Sequence, residues 1–132
     1  AERGDAFRTV EAPRELVAAL ASLSPDDTDV VLVDCLTLWI ANLLLAGETE
    51  ADVLARTATL IATIRAGGLF VVLVTNEVGL GLVPETPLGR VFRDVTGRVH
   101  QALAAVADEI HFAAMGVVLR LHPAPVAAMV PG

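Results

Sequence analysis

The stretch Val30-Val31-Leu32-Val33-Asp34 decides the fold of this chain. It is a short, continuous apolar run of mostly β-branched residues without the alternation of a half-exposed strand, which is typical of a parallel strand buried on both faces. A second such run occupies residues 69–74, Leu-Phe-Val-Val-Leu-Val, and is followed by Thr75-Asn76-Glu77. Helical patterns alternate with the two runs. The sequence therefore predicts an α/β domain with an open, largely parallel sheet.

The helical patterns have recognisable bounds. Pro13 opens a first helix that ends in the breaker cluster at 24–27, and two more helices cover residues 36–45 and about 50–65. A long amphipathic helix covers about residues 88–107, and short strands follow near 109–114 and 117–121. We expect the last strand to pair antiparallel at a sheet edge, residues 123–132 to be a loosely held tail, and residues 1–132 to form one domain.

Composition and charge exclude several classes of function. The chain has 132 residues, 55% of them hydrophobic, with a net charge of -7. All nine basic residues are arginine, so these residues contain no lysine base or Schiff-base lysine. The acidic balance disfavours nucleic-acid binding, and no apolar stretch is long enough to span a membrane. The single cysteine excludes a disulfide framework and favours a cytoplasmic protein.

Polar residues follow both predicted strands at their carboxyl ends, where open α/β sheets bind ligands. Asp34 ends the first strand, the position from which nucleotide-binding proteins place a carboxylate beside phosphate-bound Mg²⁺. The alternative is that Asp34 caps the following helix. Asn76 and Glu77 follow the second strand, where they could orient water or a substrate hydroxyl. Their alternative is a polar start of a loop.

The histidines and arginines give weaker signals. The three histidines are about ten residues apart and form no metal motif. We expect His100 to be solvated on a polar helical face and His111 to point away from the core. Three arginines of the long helix could meet an anionic ligand, although a solvated face is the commoner explanation: Arg90, Arg93 and Arg98.

Three groups of residues carry a family resemblance in the same order along the chain. They are Leu32-Val33-Asp34-Cys35-Leu36-Thr37-Leu38-Trp39-Ile40-Ala41-Asn42-Leu43-Leu44, then residues 75–85, then Phe92-Arg93-Asp94 with Gly97-Arg98 and Ala107-Asp108-Glu109. Together they resemble the bifunctional adenosylcobinamide kinase/adenosylcobinamide-phosphate guanylyltransferase family of cobalamin biosynthesis. The most specific segment is Asn76-Glu77-Val78-Gly79-Leu80-Gly81-Leu82-Val83-Pro84-Glu85.

The resemblance implies a P-loop NTPase type of fold and two reactions. The first phosphorylates adenosylcobinamide with ATP or GTP, and the second transfers GMP from GTP through a covalent GMP-histidine to give adenosylcobinamide-GDP. By the same resemblance, Glu11, Arg3 and Asp34 lie at the guanine nucleotide. Asn76 and Glu77 are the catalytic candidates. The resemblance also implies a homo-oligomer, with a trimer as the expected form.

The resemblance further predicts that the chain begins just beyond the family's GMP-accepting histidine and lacks its first strand and GxxxxGK[ST] loop. We therefore expect the chain alone to be inactive, because that loop holds the phosphates. We also expect an exposed sheet face where the first strand belongs. Two alternatives stay open: a non-catalytic structural subunit of the same fold, and a different P-loop kinase or nucleotide-binding module.

Overall fold

The structure is a computed structural model, and it describes residues 7–129. Helices and strands alternate through most of this range. In chain order they are α1 (Leu16–Ala21), β1 (Val30–Asp34), α2 (Leu36–Leu45), α3 (Glu50–Gly67), β2 (Phe70–Val74), a 3₁₀ turn (Val78–Leu80), α4 (Pro87–Ala104), β3 (Ile110–Ala114), β4 (Val117–His122) and β5 (Val126–Met129).

Strands β1 and β2 form a parallel pair, which confirms the predicted α/β class. Their register runs from Val30 opposite Phe70 to Asp34 opposite Val74. The expected burial on both faces is wrong within the described residues, because Leu32 is 57% exposed and Phe70 is 68% exposed. Successive side chains of a strand point to opposite faces, and the described helices cover only one of them.

The remaining three strands form a separate antiparallel sheet with the order β3-β4-β5. The expected antiparallel pairing of β4 is confirmed, but its expected edge position is wrong, because β4 is the middle strand. Residues 7–129 also contain two sheets rather than one. Met115 (φ 50°) and Gly116 (φ 74°) connect β3 to β4, and two positive φ angles suit the right-handed twist of a tight hairpin. The expected loose tail is wrong for residues 126–129, because β5 pairs with β4. Pro123 and Pro125, two of the three prolines that suggested a tail, precede β5, and no proline lies within it, so its backbone N–H groups stay available.

The core lies between the covered face of the parallel pair and helices α1 to α4. Helix α2 has its predicted bounds and contributes much of the core. The fully or nearly fully buried apolar side chains are Leu16, Leu20, Leu36, Trp39, Ile40, Leu43, Leu44, Val53, Leu60, Val95 and Val99. No helix within residues 7–129 combines the length and apolarity needed to cross a bilayer.

Helix α1 begins three residues later than the proline signal predicted. Pro13 lies outside the helix, and its carbonyl accepts a hydrogen bond from the Asn42 side-chain amide at 3.1 Å. The next carbonyl, of Arg14, accepts a hydrogen bond from the Trp39 indole N–H at 3.0 Å. Two side chains of α2 therefore hold the bend at Pro13 and Arg14 ahead of α1.

Candidate functional site

The structure brings the polar ends of β1 and β2 to one edge of the parallel pair. Asp34 lies opposite Val74, so Thr75, Asn76 and Glu77 leave the sheet beside Asp34. The side chains of these four residues are exposed at this edge. The local order of strand followed by polar residue accounts for this arrangement, since parallel neighbours end on the same side.

Asp34 ends β1 and does not cap the next helix. The N-cap of α2 is Cys35, in extended conformation and without a side-chain capping hydrogen bond. The capping alternative for Asp34 is therefore wrong. Within the described residues, no three His, Cys, Asp or Glu side chains gather as a metal site. One carboxylate completed by phosphate oxygens and waters is a common environment for Mg²⁺, so the donor set at Asp34 fits that ion.

The carboxylate of Glu77 has a structural role in the turn that follows β2. One oxygen, Oε1, accepts a hydrogen bond from the Gly79 backbone N–H at 2.7 Å and caps the 3₁₀ turn. Gly79 is suited to this contact, because a Cβ there would lie 2.7 Å from the same oxygen. The other oxygen, Oε2, lies 3.8 Å from Nδ1 of His100. Glu77 therefore starts a loop, as its alternative interpretation predicted, and its carboxylate is exposed at the sheet edge; its role toward a substrate stays a prediction.

His100 is not the solvated side chain that its helical position predicted. Only 17% of the side chain is exposed, because α4 packs this face against the loop after β2. Its Nε2 lies 2.6 Å from the Thr75 hydroxyl. Burial lowers the pKa of His100 below its ordinary value, while the nearby Glu77 carboxylate acts in the opposite direction. His100 is thus a half-buried imidazole with a hydroxyl on one nitrogen and a carboxylate facing the other.

Sequence reasoning missed both Thr75 and His100 as site residues. A signal for His100 was present, because it follows the buried residue Val99 and lies one helical turn after the buried residue Thr96. A histidine beside a buried stripe is placed against neighbouring elements rather than into water. The prediction for His111 is confirmed, since it is exposed while its neighbours Ile110 and Phe112 are half-buried.

The other predicted site residues have different outcomes. Asn76 is exposed next to Glu77, and Glu11 is exposed in the irregular segment before α1. The hydrogen bonds from Trp39 and Asn42 to the backbone just after Glu11 tie that segment to α2, which itself begins next to Asp34. Arg3 lies outside the described residues.

A shallow polar depression lies beside the loop after β2. Its volume is about 490 Å³, and its lining includes Gly79, Arg93, Arg98 and Gln101. Arg98 forms an ion pair with Glu50 of α3, whereas the Arg93 guanidinium is 3.9 Å from its neighbour Asp94 and 30% exposed. The two arginines are therefore partly engaged with carboxylates rather than fully solvated.

The fold and this edge define a class of protein: an α/β protein with polar side chains at the carboxyl ends of parallel strands, the place where such sheets bind ligands. A sequence profile of the cobinamide kinase / cobinamide phosphate guanyltransferase family matches residues 1–121. The chain belongs to this family.

Characterised relatives agree with that placement. The chain is 41% identical over 128 residues to the bifunctional adenosylcobalamin biosynthesis protein CobU of Salmonella typhimurium, an alignment that covers 87% of the chain and 70% of the relative. It is 38% identical over 132 residues to the Escherichia coli protein of the same name, covering 90% of the chain and 72% of the relative. The Pseudomonas aeruginosa protein CobP is 38% identical over 125 residues, covering 95% and 71%.

Proposed function

We propose that this protein phosphorylates adenosylcobinamide with ATP or GTP and then transfers GMP from GTP to the new phosphate, giving adenosylcobinamide-GDP. The observation that carries the proposal is the meeting of Asp34 with Thr75, Asn76 and Glu77 at one sheet edge, in a chain of the cobinamide kinase / cobinamide phosphate guanyltransferase family. We further propose that the fold is of the P-loop NTPase type. The parallel pair with polar groups at its carboxyl edge supports this assignment.

Asp34 is the residue that would hold Mg²⁺ at this edge. When bound, the ion neutralises phosphate charge during transfer. The exposed carboxylate at the end of β1 supports this role, because Mg²⁺ favours one or two carboxylates together with phosphate oxygens. Glu11 is proposed to contact the guanine nucleotide. Its exposed side chain, in a segment that hydrogen bonds tie to α2, supports this role.

Asn76 and Glu77 are proposed to face the substrate hydroxyl. Both follow β2 directly and are exposed. The capping hydrogen bond from Gly79 uses one lone pair of the Glu77 carboxylate, and a carboxylate has about four acceptor sites. Acceptor capacity therefore remains for a water or a hydroxyl, with the carboxylate already fixed in orientation by the turn.

The test measures both reactions with protein expressed from its complete coding sequence. D34N should lower the rate of adenosylcobinamide phosphorylation at saturating Mg-ATP by about 100-fold, because a charge-neutralising group is lost. D26N is the matched control, since Asp26 is an exposed aspartate in the turn before the amino end of β1. A wild-type protein that forms neither adenosylcobinamide phosphate nor adenosylcobinamide-GDP would refute the proposal and favour a non-catalytic subunit.

We also propose a homo-oligomer, with a trimer as the expected form. The uncovered apolar face of the parallel pair supports it, since Leu32 and Phe70 are both more than half exposed and such a face favours association. Sedimentation equilibrium measures the mass directly. A monomer at micromolar concentration would contradict this proposal without touching the catalytic one.

A further inference from the structure

Thr75, His100 and Glu77 form a connected array, of which the proposed function uses Glu77 alone. The Thr75 hydroxyl oxygen is 2.6 Å from Nε2 of His100, and Nδ1 of His100 is 3.8 Å from Oε2 of Glu77. In the neutral imidazole one nitrogen accepts and the other donates. The arrangement fits the tautomer in which Thr75 donates to Nε2 and Nδ1–H points toward the carboxylate. A hydroxyl, a base and an orienting carboxylate in this order form a proton-accepting array.

We propose that His100 takes up, through the Thr75 hydroxyl, the proton released when the substrate alcohol is phosphorylated; this inference rests on the proposed function. In that step a bond forms between the alcohol oxygen and the γ-phosphorus, and the bond to the β-phosphate oxygen breaks. The alcohol proton moves to Oγ1 of Thr75 as the Thr75 proton moves to Nε2 of His100. The resulting imidazolium faces the Glu77 carboxylate. His100 is therefore a positioning and proton-accepting residue that does not itself touch the substrate.

The location of the array supports this role. Thr75 directly follows β2 at the same end of the parallel pair as Asp34, and it is exposed, so its hydroxyl is accessible to a substrate bound at this edge. His100 is mostly buried behind Thr75. Its pKa is lowered by burial, so the imidazole is neutral at neutral pH and able to accept a proton.

Among the charged groups on the elements packed around His100, Glu77 is the one that faces the imidazole. Helix α2, which packs against α4, carries no charged residue. On α3, Glu50 is paired with Arg98, while Asp52 and Arg56 are held at the helix start by Thr49 and Glu48. Arg65 at the far end of α3 is exposed. Asp34 at the end of β1 is the remaining carboxylate of this sheet edge.

Measuring the two proposed reactions separately distinguishes a chemical role of His100 from a structural one. Phosphorylation of an alcohol releases a proton from the acceptor, whereas guanylyl transfer to adenosylcobinamide phosphate starts from an acceptor that is already ionised. H100Q keeps an amide able to hydrogen-bond Thr75 but cannot take up a proton. We expect H100Q to lower kcat for phosphorylation by about 100-fold and to remove the acidic limb of its pH profile. Guanylyl transfer from GTP to supplied adenosylcobinamide phosphate should be unchanged.

Matched variants complete the test. H111Q, at an exposed histidine that also has a glutamate neighbour, should leave both reactions unchanged. T75V removes the hydroxyl but keeps the β-branched shape, and should reproduce the loss seen in H100Q. T75S keeps the hydroxyl and should recover phosphorylation to within about tenfold of wild type.

Each outcome decides between the proposals. If H100Q keeps the wild-type phosphorylation rate and acidic limb, the inference is overturned while the proposed function stands. If H100Q loses both reactions, the T75V variant tests the inference. Selective loss of phosphorylation in T75V supports proton transfer through Thr75 to His100, and any other result overturns it. A wild-type protein without either reaction refutes the proposed function instead.

Discussion

Replacing Thr96 by valine should stabilise this protein, against the usual effect of core substitutions. Thr96 lies in α4 with 0% of its surface exposed. Within the described part of the chain, its hydroxyl is the buried side-chain group without a hydrogen-bond partner. An unmade hydrogen bond of a buried polar group costs about 1–3 kcal/mol. Valine has the same shape with a methyl in place of the hydroxyl, so T96V should raise the free energy of unfolding by about 1 kcal/mol.

Thr57 of α3 provides the matched control. It is also buried, with 1% exposed, but its hydroxyl donates to the Val53 carbonyl at 2.8 Å. T57V should therefore lower the free energy of unfolding by about 1 kcal/mol, the net worth of one hydrogen bond. Threonine and valine have similar helix propensities, so backbone preference does not decide the difference.

Urea unfolding followed by the fluorescence of Trp39 measures both variants. Trp39 is the single tryptophan and is 3% exposed, so it reports loss of the core. With an m value of about 2 kcal/mol per molar urea, the midpoints should move by about 0.5 M in opposite directions. The reasoning is wrong if T96V moves the midpoint down as far as T57V does, because the Thr96 hydroxyl would then be bonded in solution.

Three other predictions follow from single contacts. G89A should lower the free energy of unfolding by about 2 kcal/mol in urea titrations, because its Cβ would lie 2.8 Å from a side-chain carbon of the preceding loop. Gly97 in the same helix has open space around it, so G97A is the control and should not destabilise the protein. W39F should lower the melting temperature measured by circular dichroism, because the hydrogen bond to the Arg14 carbonyl is lost; an unchanged melting temperature would contradict this. Burial lowers the pKa of His100, so just below pH 6.5 the unfolded state binds more protons than the folded state. The wild type should therefore lose stability relative to H100Q as the pH falls through this range. A stability difference between the two proteins that stays constant with pH would contradict the buried imidazole.

Local sequence order was sufficient to predict the parts of the site that follow strands directly. The continuous apolar runs defined β1 and β2, and the apolar run after Asp34 defined α2 with its observed bounds. Once two parallel strands are recognised, their carboxyl ends must share an edge. Asp34 and Glu77 could therefore be placed near each other from the sequence alone.

Features that depend on packing between distant segments could not be predicted in this way. His100 is 25 residues from Thr75, and their contact depends on how α4 packs against the loop after β2. The same holds for the side chain of Asn42, which interrupts an apolar run in the sequence but bonds the Pro13 carbonyl in the structure. Strand β5 was missed because nearby prolines suggested a tail, while the edge of β4 offered pairing partners that no local pattern reveals.

The residues at the ends of β1 and β2 have different proposed roles, and this difference has a consequence for the two reactions. In the proposed function Asp34, at the end of β1, would hold the metal ion at the nucleotide phosphates, and both reactions break a phosphate bond of a nucleotide. The array of Thr75, His100 and Glu77 surrounds the end of β2 and handles a proton that only the alcohol releases. Substitutions at the end of β1 should therefore impair both reactions, and substitutions at the end of β2 the first alone. Such a split would locate the alcohol beside β2 and the phosphates beside β1, on one shared edge of the sheet.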